Sequence, residues 1–136
     1  MSYAMSAALQ TAVYDRLVGD ITLSTLVGPN VFDAIPGGVV PALYVALGQE
    51  TAKDASDGSG YGAWHDFTIS VVSEGSGFAA AKDAAAAVSD ALVDAALPLS
   101  RGRLVGLRFR KAVAARVGTG STRRIDMLFR ARVSDS

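Results

Sequence analysis

The amino-acid sequence predicts an α+β fold, with a mainly antiparallel sheet of four to five strands and two main helices packed on one side. Two segments repeat their apolar residues with helical spacing, and four segments alternate apolar and polar residues as strands do. Most connections between the predicted strands are of the hairpin type, and only one is a long helical crossover. This favours antiparallel pairing of neighbouring strands. No linker or internal repeat divides the 136 residues, so we expect one domain spanning residues 1–136.

The N-terminal segment is predicted to form a helix followed by a shorter helix. Apolar side chains repeat every four residues at Met5, Leu9, Val13 and Leu17. Gly19 supplies a stop for this helix, and Asp20 can cap a second helix that extends to residue 26. Residues 31–33 are long enough only for a short strand at the edge of the sheet, where a partner chain could add.

The first long strand is predicted over residues 42–50, where Leu43, Val45 and Leu47 share one face. Residues 51–63 are rich in glycine, serine and aspartate and have no apolar periodicity. They are predicted to form a long flexible loop, a kind of segment that often carries function. The candidate interface residues in this loop are Lys53, Asp54, Asp57 and Tyr61.

The second long strand is predicted over residues 64–73. Phe67, Ile69 and Val71 point to one face, and the alternate positions are polar, so the other face is expected to contact water. A glycine-rich connection then leads into a helix over residues 78–95. The apolar stripe of that helix is mostly alanine, which suits close packing against a sheet.

The clearest hairpin pairs residues 104–113 with residues 122–133 through a turn at residues 118–121. The side chains expected to face the core are Val105, Leu107, Phe109, Ile125, Met127, Phe129 and Ala131. Arginines occupy the alternate register on both arms, so we expect a basic surface on one face of this hairpin.

The formal net charge of zero conceals a strong asymmetry along the chain. Residues 1–95 carry three basic and eleven acidic residues, whereas residues 96–136 carry ten basic and two acidic ones. Two interpretations remain open: a mixed surface on which opposite charges pair, and a subunit with one negative and one positive side. The ten basic residues, taken as candidate contacts to a partner or to a DNA channel, are Arg101, Arg103, Arg108, Arg110, Lys111, Arg116, Arg123, Arg124, Arg130 and Arg132.

Several classes of function lack support in the sequence. The absence of cysteine excludes disulfides, thiol catalysis and thiolate metal sites. No apolar run approaches the roughly 18 residues that span a bilayer, and the N-terminal residues lack the features of a signal peptide. We therefore expect synthesis in the cytoplasm and no membrane partner.

No segment of the chain matches a catalytic or cofactor-binding motif in both its spacing and its structural context. His65 is the only histidine, and its place at the start of a strand is typical of a residue that packs against a loop. The glycines at residues 58–62 match neither a dinucleotide fingerprint nor a phosphate loop, and they precede a strand rather than a helix. Residues 54–58 lack the ligand pattern of a calcium loop. We expect no enzyme activity, no cofactor and no metal.

The arginines of the hairpin are the one constellation that points to binding. Arginines at alternate positions could form a ladder against phosphate or carboxylate groups. Modules that bind single-stranded nucleic acid add aromatic residues for base stacking, but Phe109 and Phe129 fall in the register expected to face the core. The pattern therefore favours a protein partner or non-specific contacts with phosphate.

The ordered set of segments resembles the tail-completion or tail-terminator proteins of long-tailed phages, particularly the version found in gene transfer agents. The resemblance covers almost the whole chain, and no one motif carries it. Its segments are residues 8–17, 26–28, 31–36, 41–48, 62–71, 104–109 and 129–132.

This resemblance implies an α+β subunit that assembles with copies of itself, typically six, into a ring at the head-proximal end of the tail tube. Such a ring stops tube growth and docks to the head connector or adaptor proteins, and DNA passes through its lumen without sequence-specific contacts. The family has no catalytic residues. The protein would be in the bacterial cytoplasm during assembly and afterwards at the head-tail junction of the released particle. The alternatives are a neighbouring connector or adaptor subunit and a nucleic-acid-binding module.

Overall fold

The computed structural model describes residues 3–35, 37–56, 61–75 and 78–135. Within these ranges it contains three helices and five strands, and the predicted α+β class is confirmed. In chain order they are α1 (Ser6–Gly19), α2 (Ile21–Val27), β1 (Val31–Phe32), β2 (Leu43–Asp54), β3 (Gly62–Glu74), α3 (Ala79–Leu92), β4 (Arg103–Arg116) and β5 (Thr122–Ser134). None of the helices in this described part is long and apolar enough to cross a membrane.

The five strands form one sheet in the order β1-β2-β3-β5-β4. β1 runs parallel to β2, and every other neighbouring pair is antiparallel. The predicted short edge strand is therefore confirmed as β1, and the predicted hairpin is confirmed as β4 and β5. β4 forms the opposite edge, so it pairs with β5 on one side only.

The core lies between one face of the sheet and the helices. Apolar side chains of α1, α2 and α3 form one buried cluster with alternate residues of the strands. The alanines of α3, such as Ala81 and Ala84, are completely buried, which confirms the prediction of a small-residue face packed closely on the sheet. Phe129 lies at the centre, with ring centroids 5.8 Å from Phe67 and 5.9 Å from Phe109.

The start of α2 follows the capping prediction. The Asp20 carboxylate accepts a hydrogen bond from the backbone N–H of Leu23 at 2.9 Å. This bond satisfies one of the N–H groups that a helix start leaves without a partner inside the helix. Leu23 and Val27 of α2 can therefore be held in the core beside α1.

The prediction of a loop over residues 51–63 was wrong at both ends. β2 continues to Asp54, so Lys53 and Asp54 are strand residues paired in register with Trp64 and Ala63 of β3. The alternation was hidden because a register shift follows Leu47 and because this end of β2 is polar. Tyr61 lies exposed just before β3, and Asp57 lies outside the described residues.

The inward orientation predicted for the first arm of the hairpin was correct only in part. Leu107 is buried, but Val105 and Phe109 are 54% and 42% exposed. Register shifts after Leu104 and after Phe109 break the alternation of β4, and this strand is the edge of the sheet. On β5, by contrast, all four residues predicted to face the core are buried.

Candidate functional site

The face of the sheet opposite the helices carries a row of arginines. In the pairing of β3, β5 and β4, Arg130 lies beside Asp66 and Arg108. Two residues further along β5, Arg132 lies beside Trp64 of β3. Side chains that share a register and point to the same face stand next to each other. We call this row, together with its neighbours on the same face, the arginine face.

Two of the guanidinium groups are held against Trp64. Their central carbons lie over its indole ring at 5.3 Å for Arg130 and 5.0 Å for Arg132, within the range of cation–π attraction. Arg130 also donates two hydrogen bonds to Asp66, at 2.7 and 3.0 Å. Arg132 donates to the backbone oxygen of Ala55 at 3.1 Å. These contacts restrict the rotamers of both arginines before any ligand arrives.

A groove of about 490 Å³ opens beside this pair at the end of the sheet. Four guanidinium groups line it, and Asp94 is the only carboxylate among the described residues that line it. Trp64 and Tyr61 add aromatic surface. Such a groove is suited to phosphate or carboxylate groups, which guanidinium binds through paired hydrogen bonds. The four arginines are Arg103, Arg108, Arg130 and Arg132.

Other predicted contact residues lie apart from this groove. Arg124 is on the same face but donates to Asp126 at 2.8 Å and to Ser70 at 3.2 Å. Arg101 forms a two-bonded ion pair with Asp135, at 2.9 and 3.1 Å. Both features predicted from the charge asymmetry are therefore present. Arg101, Arg124 and Arg130 each pair with an aspartate, and four arginines, Arg130 among them, converge on the groove.

The remaining members of the predicted set are also dispersed. Arg123 lies over the ring of Phe78, which precedes α3, at 5.4 Å, so it belongs to the end of the sheet near that helix. Arg110, Lys111 and Arg116 are exposed along β4. Their position makes this edge of the sheet strongly basic.

Hydrogen bonds from Arg130 lower the pKa of Asp66 below its ordinary value, although partial burial opposes the shift. A carboxyl whose folded-state pKa is depressed stabilises the fold above its unfolded pKa of about 3.9. That contribution is lost as the pH falls through the lower, folded-state pKa.

We therefore expect Asp66→Asn to lower the free energy of unfolding at pH 6 by more than it does at pH 2.5. Urea unfolding across this range measures the difference between the variant and the parent protein. In an Arg130→Gln background the same substitution is expected to lose most of its pH dependence. If the variant and the parent differed by the same free energy of unfolding at every pH, the ion pair between Asp66 and Arg130 would not contribute to stability.

A second polar cluster joins α1 to the sheet. His65 is completely buried in β3, and its ring lies 6.2 Å between centroids from Tyr3, in the segment that precedes α1. Its Nδ1 lies 3.0 Å from Oε2 of Glu50, and the same carboxylate accepts hydrogen bonds from the hydroxyls of Ser6 and Tyr3. Burial raises the pKa of Glu50, but these three hydrogen bonds outweigh it and leave the pKa below its ordinary value. The cluster fixes the start of α1.

Across the described ranges, no group of three or more histidine, cysteine, aspartate or glutamate side chains is arranged to hold a metal ion. Two features of the arginine face have no local signal in the sequence. They are the contact of Trp64 with the arginines and the role of Asp66 as their counter-ion. Only their adjacent strand registers bring these residues together.

Residues 11–134 match the family model described as tail completion protein gp17. The chain belongs to this family. The matched range contains all five strands, α2, α3 and the arginines of the groove. Membership supports a structural role in a tail, and the predicted resemblance is confirmed.

The tail completion fold of this chain also matches a solved chain from a structure titled "Virion of native gene transfer agent (GTA) particle". The two chains are 59% identical, with a TM-score of 0.93. The match covers 98% of this chain and 99% of the other. A search of curated proteins gives no match.

Proposed function

We propose that this protein forms a hexameric ring that terminates the tail tube and joins it to the head connector of a phage-like particle or gene transfer agent. Two comparisons carry the proposal: residues 11–134 match the tail completion family, and nearly the whole chain is 59% identical to a chain of a gene transfer agent virion. The protein acts as a structural part and not as an enzyme, without cofactor or metal.

The distribution of charge supports a head-to-tail ring. In such a ring two different surfaces of one subunit meet, and a subunit with one acidic and one basic side provides complementary surfaces. Residues 1–95 have eight more acidic than basic residues, and residues 96–136 have eight more basic than acidic ones. The partners are further copies of the chain, the tail-tube protein and the connector or adaptor proteins. Assembly takes place in the bacterial cytoplasm, and the released particle retains the ring.

Tube assembly in vitro tests this function. Purified tail-tube protein is polymerised with and without the folded chain, and the products are imaged by negative-stain electron microscopy. We expect a ring on one end of each tube and tube lengths that stop increasing after the chain is added. Tube protein alone is the control and continues to lengthen. Unchanged tube ends and continued growth with the chain present would contradict the proposal. Binding to the connector but never to the tube would instead identify an adaptor subunit.

The arginine groove favours a second candidate function, non-specific binding of DNA. The logarithm of the binding constant should then fall linearly with the logarithm of the salt concentration, with a slope of about −0.9 per phosphate contact. Replacing Arg103 and Arg108 by alanine should make the slope shallower by about 1 to 2. Arg101→Ala is the matched control, because this residue is paired with Asp135 outside the groove. Fluorescence anisotropy with duplex DNA measures the parent protein, the double variant and the control, and salt-independent or absent binding would exclude this candidate.

A further inference from the structure

Gly106 opens the floor of the arginine groove. It pairs in register with Arg132 of β5, and the next outward pair joins Arg108 to Arg130. A Cβ placed on Gly106 would have no atom of another segment within 4 Å, so the space above this residue is open. Side chains that share a register on one face stand side by side, so the missing side chain leaves a gap between the arginines. The groove is therefore a concave site built into the sheet.

The segment that follows α3 closes the groove on its outer side. The backbone N–H of Asp94 donates to the carbonyl of Leu107 at 3.0 Å, across the edge of β4. Asp94 has a φ of +56°, in the left-handed region that aspartate and asparagine adopt more readily than most residues. A backbone hydrogen bond thus fixes this side of the groove, and Asp94 is among the residues that line it.

The groove holds more positive charge than its own carboxylates balance. Arg130 is already paired with Asp66. Within the described part of the chain, the other three guanidinium groups have no carboxylate at ion-pair distance; they belong to Arg103, Arg108 and Arg132. Asp94 offsets one of these three charges from the groove wall. A ligand with two negative charges would balance the remainder.

Apolar surface lies beside these charges and favours a peptide over nucleic acid. Val105 and Tyr61 line the groove and are 54% and 67% exposed. The ring of Trp64 is already in contact with two guanidinium groups and is not free for base stacking. A DNA duplex carries its phosphates on a wide convex backbone without apolar groups, so it would contact only the rim. A peptide can bring carboxylates and an apolar side chain to the floor.

We propose that the arginine groove binds an acidic segment of a partner protein, in which two carboxylates flank an apolar residue. Alternate side chains of an extended peptide point to one side, so the two carboxylates reach the guanidinium groups around Gly106 together. No two acidic residues of this chain are separated by a single residue. The occupant is therefore a different protein and not a second copy.

Peptide binding to the purified chain tests the ligand class. The probes are the fluorescently labelled peptide Gly-Asp-Leu-Asp-Gly and its analogue Gly-Asn-Leu-Asn-Gly, both with blocked ends. We expect the acidic peptide to bind about tenfold more tightly than the amide analogue, because charge-assisted hydrogen bonds are lost in the latter. Fluorescence anisotropy measures both. Equal affinity for the two peptides, or no binding of the acidic one, would overturn the proposal.

Gly106→Val tests the location because it fills the floor of the groove without changing any charge. The space above Gly106 is open, so the variant should keep its thermal unfolding midpoint, while its affinity for the acidic peptide should fall about tenfold. Gly120→Val is the matched control: Gly120 lies in the turn of the hairpin, its Cβ would also have no neighbour within 4 Å, and its peptide affinity should equal that of the parent. Parent affinity in a folded Gly106→Val variant would place the peptide outside the groove.

Two further variants test the charges. Arg103→Ala/Arg108→Ala should lower the affinity for the acidic peptide about tenfold. Asp94→Asn should instead raise it about threefold, because it removes the one carboxylate among the described lining residues and asparagine tolerates the same backbone conformation. An unchanged or lower affinity of Asp94→Asn would contradict the position of the ligand beside this wall.

Duplex DNA is the competing occupant, and Gly106→Val separates the two. A peptide on the floor is displaced by the added side chain, whereas a duplex on the rim should lose less than about twofold in affinity. Equal losses for peptide and duplex would assign the groove to DNA and overturn the proposal. All these measurements use the chain alone, so their outcome is independent of whether the chain terminates tail tubes.

Discussion

Replacement of Phe129 by alanine is expected to lower the free energy of unfolding by about 3–5 kcal/mol, the usual cost of truncating a buried phenylalanine. The side chain is completely buried at the centre of β5 and stacks on Phe67 at 5.8 Å between ring centroids. Its removal loses apolar burial, and the cavity left between the sheet and the helices cannot close fully because strands on both sides fix the backbone. Urea unfolding followed by circular dichroism measures the change.

Phe109→Ala is the matched control for this prediction. Phe109 contacts Phe129 edge-on but is 42% exposed, so its replacement is expected to cost about 1–2 kcal/mol. Equal losses for the two variants would mean that the core does not centre on Phe129. A loss of less than about 1 kcal/mol for Phe129→Ala would contradict the packing described here.

Replacement of Gly102 by alanine is expected to lower the free energy of unfolding by about 3 kcal/mol, from two separate causes. The backbone φ of Gly102 is +70°, a conformation that costs a residue with a side chain about 1–2 kcal/mol. A Cβ at this position would also lie 2.5 Å from the backbone oxygen of Ser134 and 2.6 Å from Sδ of Met5. The Met5 side chain can move aside, but the backbone of Ser134 at the end of β5 cannot do so easily.

Gly118→Ala separates these two causes. Gly118 has a similar φ of +63°, but a Cβ there would have no atom within 4 Å. This variant should lose only the conformational part, about 1–2 kcal/mol. Thermal unfolding of both variants under the same conditions makes the comparison, and an equal loss for the two would show that the close approach of Ser134 is unimportant.

The helices and most strand segments could be predicted because their periodicity is local. The four-residue repeat that includes Leu9 and Val13 gives the buried face of α1, and the alternation around Ile69 gives the inward face of β3. The end of β2 could not be predicted in this way. Its residues beyond Leu47 are polar and follow a register shift, and they form a strand because β3 supplies the hydrogen-bond partners.

For the candidate site, the sequence predicts which residues are basic and which face of the hairpin they share, but not the residues that they contact. The alternation of arginines on β5 placed Arg130 and Arg132 on the same face, and the structure agrees. Their contacts with Trp64 and Asp66 depend on which strand lies next to β5, and Asp66 is 64 positions away from Arg130 along the chain. The same limitation applies to Glu50 and His65, whose contact no local pattern indicates.

By itself, the sequence determined the order and type of the main elements, the inward face of β5, the lack of thiol chemistry and the concentration of arginine in the last third of the chain. Only the tertiary structure decided that β4 is an edge strand, that Val105 and Phe109 are exposed, and that four of the ten predicted basic residues converge on one groove. The physical reason is the range of the interactions. Helix and strand periodicity comes from neighbouring residues, whereas strand order, edges and charge convergence come from pairing between segments far apart in the chain.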